Sequence, residues 1–106
     1  MEFKYQFTQS ALQDFREILR YISTDLSNPI AAKNLGKKIF EKIDMVRDFP
    51  DSGVRVDNEF LSDKSVRKAL VGNYIIYYKA SYEEKMIYVV RIVYGKRNLD
   101  EILKSI

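Results

Sequence analysis

Residues 66–97 of the chain read VRKALV-GN-YIIYYK-ASYEE-KMIYVVRIVY-GKR. β-branched and aromatic residues dominate the three long runs, and these residue types fit the pleated surface of a sheet. The turn Gly72-Asn73 has glycine at the first of its two positions, which is typical of a type II′ hairpin. The segment 80–84 fits a longer hairpin loop. The stretch therefore predicts three antiparallel strands, at about Val66–Val71, Tyr74–Lys79 and Lys85–Tyr94.

A strand and an amphipathic helix are predicted at the N-terminal end. Residues 3–7 alternate aromatic and polar side chains, which indicates a half-buried strand. Ser10 followed by Gln13 matches the capping-box pattern, so we expect a helix to begin at Ser10. An apolar stripe at helical spacing should face the core. The stripe consists of Leu12, Phe15, Leu19, Ile22 and Leu26, and the other side carries Asp14, Arg16, Glu17 and Arg20.

A second helix follows after a short connection. Asn28 is a favourable N-cap residue, and Pro29 suits the first helical position. The helix should end near Asp48, because Pro50 disfavours helical backbone in the residue before it. Two amphipathic helices joined this closely form an antiparallel hairpin. The predicted inner face consists of Ala32, Leu35, Ile39, Ile43 and Val46.

The order of elements predicts the fold class. Residues 50–65 read as a loop that Phe60 and Leu61 anchor to the core, and residues 98–106 carry apolar residues at helical spacing. The order is β-α-α-β-β-β(-α), with helices first and strands after them, which is typical of an α+β domain. We expect one domain over residues 1–106, in which the N-terminal strand and the helical hairpin pack on an antiparallel sheet. The other face of the sheet should be the more open one.

Composition excludes several kinds of chemistry. The chain has no cysteine and no histidine, which removes disulfides, thiolate sites and the commonest general base and metal ligand. The loop acids Asp57, Glu59 and Asp63 alone make a poor metal site, so we expect neither a metal nor a cofactor. No apolar run reaches the roughly 20 residues of a membrane helix, and the N-terminus does not resemble a signal peptide. We therefore expect a cytoplasmic protein with no membrane partner.

Positive charge is concentrated in the strand half. Residues 1–63 hold 9 Lys/Arg and 11 Asp/Glu, whereas residues 64–106 hold 9 Lys/Arg and 4 Asp/Glu. The net charges are therefore −2 and +5. This asymmetry predicts either an anionic partner or a solvated face of the sheet.

A cluster of aromatic and basic residues ends the third strand: Tyr94-Gly95-Lys96-Arg97. Arg97 and Lys96 could bind a phosphate or an acidic surface, or could be a solvated pair at the end of the sheet. Tyr94 could stack on a base or pack in the core, as we expect for most of the other tyrosines.

Three further basic residues are candidates for binding. Arg91 lies inside a strand, where a charge needs a partner, so it either binds an acidic group or forms a structural ion pair with Asp or Glu. Arg67 and Lys68 should point to opposite faces of their strand. Either could join a basic patch, or both could be ordinary edge-strand charge.

The ordered set of motifs resembles the RelE/ParE superfamily of toxins from bacterial type II toxin–antitoxin modules, over nearly the whole chain. The RelE-like members are ribosome-dependent mRNA endoribonucleases, and the ParE-like members inhibit DNA gyrase. The resemblance rests on Ala11, Asp14-Phe15, Ile18, Tyr21-Ile22, Asn28-Pro29, Ala31-Ala32, Leu35, Ile39, Ile43, Phe49-Pro50 and Gly53, and on the runs 66–78 and 87–97.

Two features are more similar to ParE than to RelE. Ile75 follows Tyr74 where the nucleases commonly carry an arginine, and no tyrosine follows Tyr94 in the C-terminal segment. The resemblance thus implies a gyrase inhibitor that forms a hetero-oligomer with a cognate antitoxin. Arg67, Arg91, Tyr94, Lys96 and Arg97 are then the candidates for binding the target or the antitoxin.

Two alternatives stay open. In a RelE-like nuclease acting on mRNA in the ribosome, Arg67, Lys68, Tyr94 and Arg97 would be the catalytic candidates. An interaction protein could also keep the fold without toxicity. Whether the chain is an enzyme depends on which of these readings holds.

Overall fold

The computed structural model describes residues 3–106 and shows a mixed α+β architecture. A five-residue π-helical turn, Tyr21–Asp25, links the first two helices. The strands are β1 (Lys4–Phe7), β2 (Val54–Arg55), β3 (Arg67–Val71), β4 (Tyr74–Ser81) and β5 (Met86–Tyr94), and the helices are α1 (Gln9–Arg20), α2 (Pro29–Asp48) and α3 (Leu99–Lys104).

The five strands form one sheet in the order β1-β5-β4-β3-β2. The predicted antiparallel meander of three strands is confirmed as β3, β4 and β5. Gly72 has φ +56°, and Asn73 is not among the residues with positive φ, as a type II′ turn requires. Two strands extend the meander at its edges. The short β2 lies within the predicted loop, and β1 pairs with β5 in parallel, because the helical hairpin returns the chain to the same end of the sheet.

The N-terminus of α1 differs from the prediction. The N-cap is Thr8, whose Oγ1 accepts a hydrogen bond from Ala11 N at 3.1 Å, so the helix begins at Gln9 rather than at Ser10. The predicted inner stripe is also rotated, since Leu12 and Leu26 are exposed whereas Ala11 is buried. Thr8 rather than Ser10 is the N-cap because the Thr8 backbone also pairs with β5. This pairing fixes the end of β1 and thereby the start of the helix.

Helix α2 matches its prediction at both ends. Asn28 Oδ1 accepts from Ala31 N at 3.1 Å, Pro29 is the first helical residue, and the last is Asp48. Ser27, just before the cap, has φ +50°, a left-handed conformation that closes the connection. The inner face is confirmed at Ala32, Ile39, Ile43 and Val46, and Leu35 packs against the same core.

Both faces of the sheet carry a buried apolar cluster, including the face that was predicted to be the more open one. The α1–α2 hairpin covers one face with a cluster that includes Ile39, Ile43 and Ile76. On the other face, α3 and the loop after β2 bury Tyr77 and Val93 beneath Leu61, Ile102 and Leu103. The C-terminal segment has few apolar residues, but the second face is buried because α3 and the loop after β2 cover it together. Leu61 is 1% exposed, whereas Phe60 remains on the surface.

The hydroxyl of Tyr78 joins the loop after α2 to the sheet. It accepts a hydrogen bond from Gly53 N at 2.8 Å and donates one to Pro50 O at 2.9 Å. A Cβ atom at Gly53 would collide with this hydroxyl, so the position requires glycine. Burial raises the pKa of Tyr78, and the phenol therefore stays a neutral donor.

Replacing Tyr78 by phenylalanine is expected to lower the free energy of unfolding by about 1–3 kcal/mol, because the buried Gly53 N–H would lose its acceptor. Urea unfolding measures the change. Tyr5→Phe is the matched control, since the Tyr5 ring is exposed, and it should change stability by less than about 0.5 kcal/mol. Equal effects of the two variants would contradict this role of Tyr78.

Candidate functional site

A cleft of ≈ 550 Å³ opens where the end of α1 and the π-helical turn pass over the ends of β4 and β5. It is larger than three other grooves of ≈ 180, 270 and 290 Å³ on the described part of the surface. Acidic, aromatic, apolar and basic side chains all contribute to its walls. The lining residues are Asp14, Glu17, Ile18, Tyr21, Leu26, Tyr74, Ile92, Val93, Tyr94 and Arg97.

Three tyrosines converge in this cleft. Tyr74 and Tyr94 are register partners on β4 and β5, and their rings meet edge to face with centroids 5.5 Å apart. Tyr21 enters from the π-helical turn with about half of its surface exposed. Burial, followed by the proximity of the Tyr94 and Tyr21 phenols, raises the pKa of Tyr74. Tyr74 therefore presents a neutral phenol, which can both donate and accept hydrogen bonds.

Asp14 forms the back wall of the cleft and is held there by an ion pair between α1 and β5. Arg91 donates to both carboxylate oxygens of Asp14, from Nε at 2.7 Å and from Nη2 at 3.0 Å. Asp14 also accepts from Ile92 N at 3.0 Å. Arg91 Nη1 donates to Ser105 Oγ at 3.1 Å, just after α3. The hydrogen bond that Arg91 donates to Asp14 is the main cause of the raised pKa of Arg91.

Asp14 occupies the place that a longer β1 would fill. β1 pairs with β5 only as far as Val89, and beyond that point the edge of β5 has no neighbouring strand. Thr8 Oγ1 donates to Val90 O at 3.0 Å, and Asp14 accepts from Ile92 N. The prediction that Asp14 faces outward is therefore wrong, because an open backbone edge beneath α1 needs a polar partner.

The predicted ion-pair alternative for Arg91 is confirmed, but plain strand alternation, which would place Arg91 on one face with Ile87, Val89 and Val93, is interrupted before it. The register of β4 and β5 shifts between Tyr77 and Tyr78, where Tyr78 pairs with Val89 and Tyr77 pairs with Arg91. Val90 is thus an extra residue on β5, and the bulge moves Arg91 to the face opposite Ile87 and Val89. Its role in binding a partner remains a prediction.

Arg97 lies at the mouth of the cleft, directly after the Gly95-Lys96 turn that ends β5. Gly95 N donates to Asn73 O at 2.8 Å, and Arg97 N donates to Tyr94 O at 3.1 Å. These bonds fix the backbone that carries the side chain. Arg97 is exposed and forms no ion pair within the described chain. It is therefore available to an external anion.

The other predicted site residues lie elsewhere. Lys96 faces a neighbouring groove rather than the cleft. Arg67 donates to Gly53 O at 2.8 Å and to Asp51 O at 3.3 Å, so its guanidinium braces the loop after α2. Arg67 and Lys68 pair with Tyr78 and Tyr77, and so project from opposite faces, as predicted. The structure thus brings Tyr94 and Arg97 together, with Arg91 behind them, but not Arg67 or Lys68.

Tyr21 and Glu17 line the cleft but were not among the predicted site residues. Their spacing from Asp14, at three and seven residues, places all three on one side of a helix, and that was the available signal. Glu17 accepts from Gln13 Nε2 at 3.0 Å.

Residues 3–106 contain no group of three or more acidic residues placed to hold a metal ion. Their helices include none that is both long and apolar enough to cross a membrane. The residues that line the cleft determine what it can bind: an anion through Arg97, and flat or apolar groups through its tyrosines and Leu26.

The fold of this chain, a helical hairpin on a five-stranded sheet, is shared with toxins from toxin–antitoxin systems. The model of the ParE toxin of the type II toxin–antitoxin system parDE matches residues 5–99. The chain belongs to this ParE toxin family and is thus the toxin component of a type II system. The comparison with curated proteins by sequence gave no significant match.

Solved structures share the fold. A chain of the chromosomal ParDE system from P. aeruginosa is 18% identical, with a TM-score of 0.70 over 89% of this chain and 97% of that one. A RelBE toxin–antitoxin complex from Mycobacterium tuberculosis is 16% identical, with a TM-score of 0.62 over 89% and 99%. The isolated E. coli RelE toxin is 16% identical, with a TM-score of 0.57 over 97% of each chain. The predicted RelE/ParE fold is confirmed.

The tyrosine cleft should affect stability in alkali. The pKa of Tyr74 is raised by burial and by its neighbours, so its contribution is present below the ordinary tyrosine pKa of about 10 and is lost as the pH rises through the folded-state value. We expect urea unfolding above about pH 10 to show a smaller alkaline loss of stability in Tyr74→Phe than in the wild type. Tyr5→Phe, at an exposed position outside the cleft, is the control. Identical pH profiles of Tyr74→Phe and the wild type would contradict the shift.

Proposed function

We propose that this toxin inhibits DNA gyrase in the cytoplasm by binding it, without cleaving RNA. The observation that carries the proposal is the match of the ParE toxin family to residues 5–99. Arg97 supports a binding role, because it is exposed, lacks an ion pair among the described residues and lies at the mouth of the ≈ 550 Å³ cleft. It would contact an acidic or phosphate group of the gyrase–DNA complex, with Tyr94 and Tyr21 beside it. Lys96 would add charge at the rim, and Arg91 would keep the back wall in place.

A binding role also fits the electrostatics of the cleft. A general base should have a pKa near the working pH, but the pKa of Tyr74 is raised and the chain has no histidine. Of the described residues that line the cleft, Arg97 is the one cation, and it forms no ion pair with another described residue. These groups suit recognition of an anion better than proton transfer.

A cognate antitoxin is the second proposed partner. Three large apolar side chains stand exposed at the tip of the hairpin: Tyr21, Leu26 and Ile30, at 51%, 55% and 73% exposure. Tyr21 and Leu26 also line the cleft. An antitoxin segment laid across this tip would bury apolar surface and cover Arg97 at the same time. Neutralisation would then be steric.

A ribosome-dependent endoribonuclease is the alternative enzyme. Tyr94 and Arg97 in one cleft favour it, because an arginine can stabilise the charge that develops on a scissile phosphate. The two other candidates do not join them: Arg67 is bound to the loop after α2, and Lys68 projects from the opposite face of β3. Toeprinting on translating ribosomes tests this activity, and cuts in the ribosomal A site would support it.

Induced expression in the absence of antitoxin tests the proposal, with two readouts from one culture. We expect a DNA-damage response and intact abundant mRNAs by primer extension. Codon-phased mRNA cuts without DNA damage would replace the gyrase proposal with the nuclease. Unaffected growth would indicate an interaction protein that has kept the fold.

A further inference from the structure

We propose that this toxin carries a second binding surface, which overlaps the proposed gyrase site at Lys96 and Arg97 and binds the phosphate backbone of duplex nucleic acid. The surface, here called the basic track, consists of Lys38, Lys42, Lys96 and Arg97 and runs around the Gly72-Asn73 turn. It is independent of the gyrase proposal, since it requires no contact with gyrase.

Three neighbouring grooves make the basic track continuous. A groove of ≈ 290 Å³ lies between Lys38 and Lys42 on α2 and the turn at Gly72. A second groove, of ≈ 270 Å³, lies on the other side of this turn and is lined by Lys96. The two grooves share Gly72, and the second groove shares Tyr74 with the cleft that holds Arg97. A single extended ligand can therefore follow all three.

The charges along the basic track are unbalanced. None of its four cations forms an ion pair with another described residue. Of the described residues that line the two grooves beside the turn, Glu41 is the one carboxylate. When unpaired lysines along a groove bind phosphates, the counterions condensed on the nucleic acid are released. This release gives affinity without sequence specificity.

The partner that fits is a duplex rather than a single strand. Single-strand binders combine positive charge with free aromatic faces on which bases stack. In the described part of the two grooves beside the turn the one aromatic group is Tyr74, whose ring already packs against Tyr94 with centroids 5.5 Å apart, and the exposed Tyr21 lies in the cleft at one end of the track. Lysine acts as a point charge suited to phosphate, and a duplex carries one phosphate per ≈ 1.7 Å of its axis.

Binding of a short fluorescein-labelled DNA duplex to the purified full-length toxin, followed by anisotropy across salt concentrations, tests the proposal. Four phosphate contacts predict a slope of about −3.6 in log K against log salt, or about a 150-fold loss of affinity for a fourfold increase in salt. In K38Q/K42Q/K96Q the slope should fall to about −0.9, equivalent to about a 3.5-fold loss.

The matched control removes the same number of charges outside the track. K4Q/K33Q/K37Q replaces three exposed lysines that line none of the three grooves, and it should keep the wild-type slope. If circular dichroism shows that the first variant is unfolded, K38Q/K96Q replaces it, with an expected slope of about −1.8.

Three results would overturn the proposal: no salt-dependent binding, equal loss in the two triple variants, or tighter binding of a single-stranded RNA of the same sequence. Gyrase inhibition measured on the same preparations is a separate readout. A toxin that binds the duplex but spares gyrase would refute the proposed function and leave the basic track intact.

Discussion

Replacing Asp14 by alanine is expected to lower the free energy of unfolding by about 3 kcal/mol or more. The change leaves the Arg91 guanidinium, 18% exposed, without its bidentate acceptor. It also removes the acceptor of Ile92 N on the open edge of β5. Removing one member of a largely buried ion pair costs more than the pair itself contributes, because the remaining charge stays desolvated.

Urea unfolding measures this loss, and Asp44→Ala is the matched control. Asp44 forms an ion pair with Arg47 at 3.0 Å, but its side chain is 66% exposed, so the control should lose less than about 1 kcal/mol. The double variant Asp14→Ala/Arg91→Met should recover part of the loss, because it leaves no charge unpaired. A loss at Asp14 no larger than at Asp44 would show that the pair does not hold α1 on the sheet.

Replacing Arg97 by alanine is expected to weaken gyrase inhibition by at least about tenfold while leaving stability within about 0.5 kcal/mol of the wild type. The reason is the position of its side chain, which is exposed at the mouth of the cleft and bound to no acidic group within the described residues. Removing the Arg97 side chain therefore removes a contact with the target but no ion pair within the described part of the toxin. A tenfold change corresponds to about 1.4 kcal/mol, which is modest for a hydrogen bond to a charged group.

The test compares inhibition of supercoiling with urea unfolding for each variant. Arg55→Ala is the matched control, since Arg55 is an exposed arginine on the edge strand β2 and lines no part of the cleft. It should inhibit gyrase like the wild type. If both variants keep full potency, Arg97 is not a contact. If Arg97→Ala unfolds more easily, its effect is structural.

The strands could be predicted from the sequence because their signal is local. Each of the three long runs carries its own β-branched and aromatic residues, and Gly72 marks the turn between two of them. The start of α2 could likewise be predicted from Asn28 and Pro29, since helix capping depends on adjacent residues. Tyr94, Lys96 and Arg97 could be chosen as candidates because they adjoin one another at a strand end.

The missed features depend on contacts between distant parts of the chain. In the sequence, Asp14 belongs to the polar side of its helix. The neighbouring residues do not show that the edge of β5 lies beneath it. The bulge at Val90 reverses the face of Arg91, and alternation alone cannot locate an extra residue. The second face of the sheet is buried because Leu61 and Ile102 meet there from segments 41 residues apart.

The central claim is that this ParE-family toxin acts on gyrase by binding. Its most direct test is a supercoiling assay with purified gyrase, relaxed plasmid and increasing amounts of the purified toxin, with cleaved plasmid scored in the same reactions. We predict that supercoiling falls and that cleaved plasmid accumulates as the toxin concentration rises, with Arg97→Ala shifted to higher concentration. Full supercoiling and no cleaved plasmid at a large molar excess of folded toxin would contradict the account.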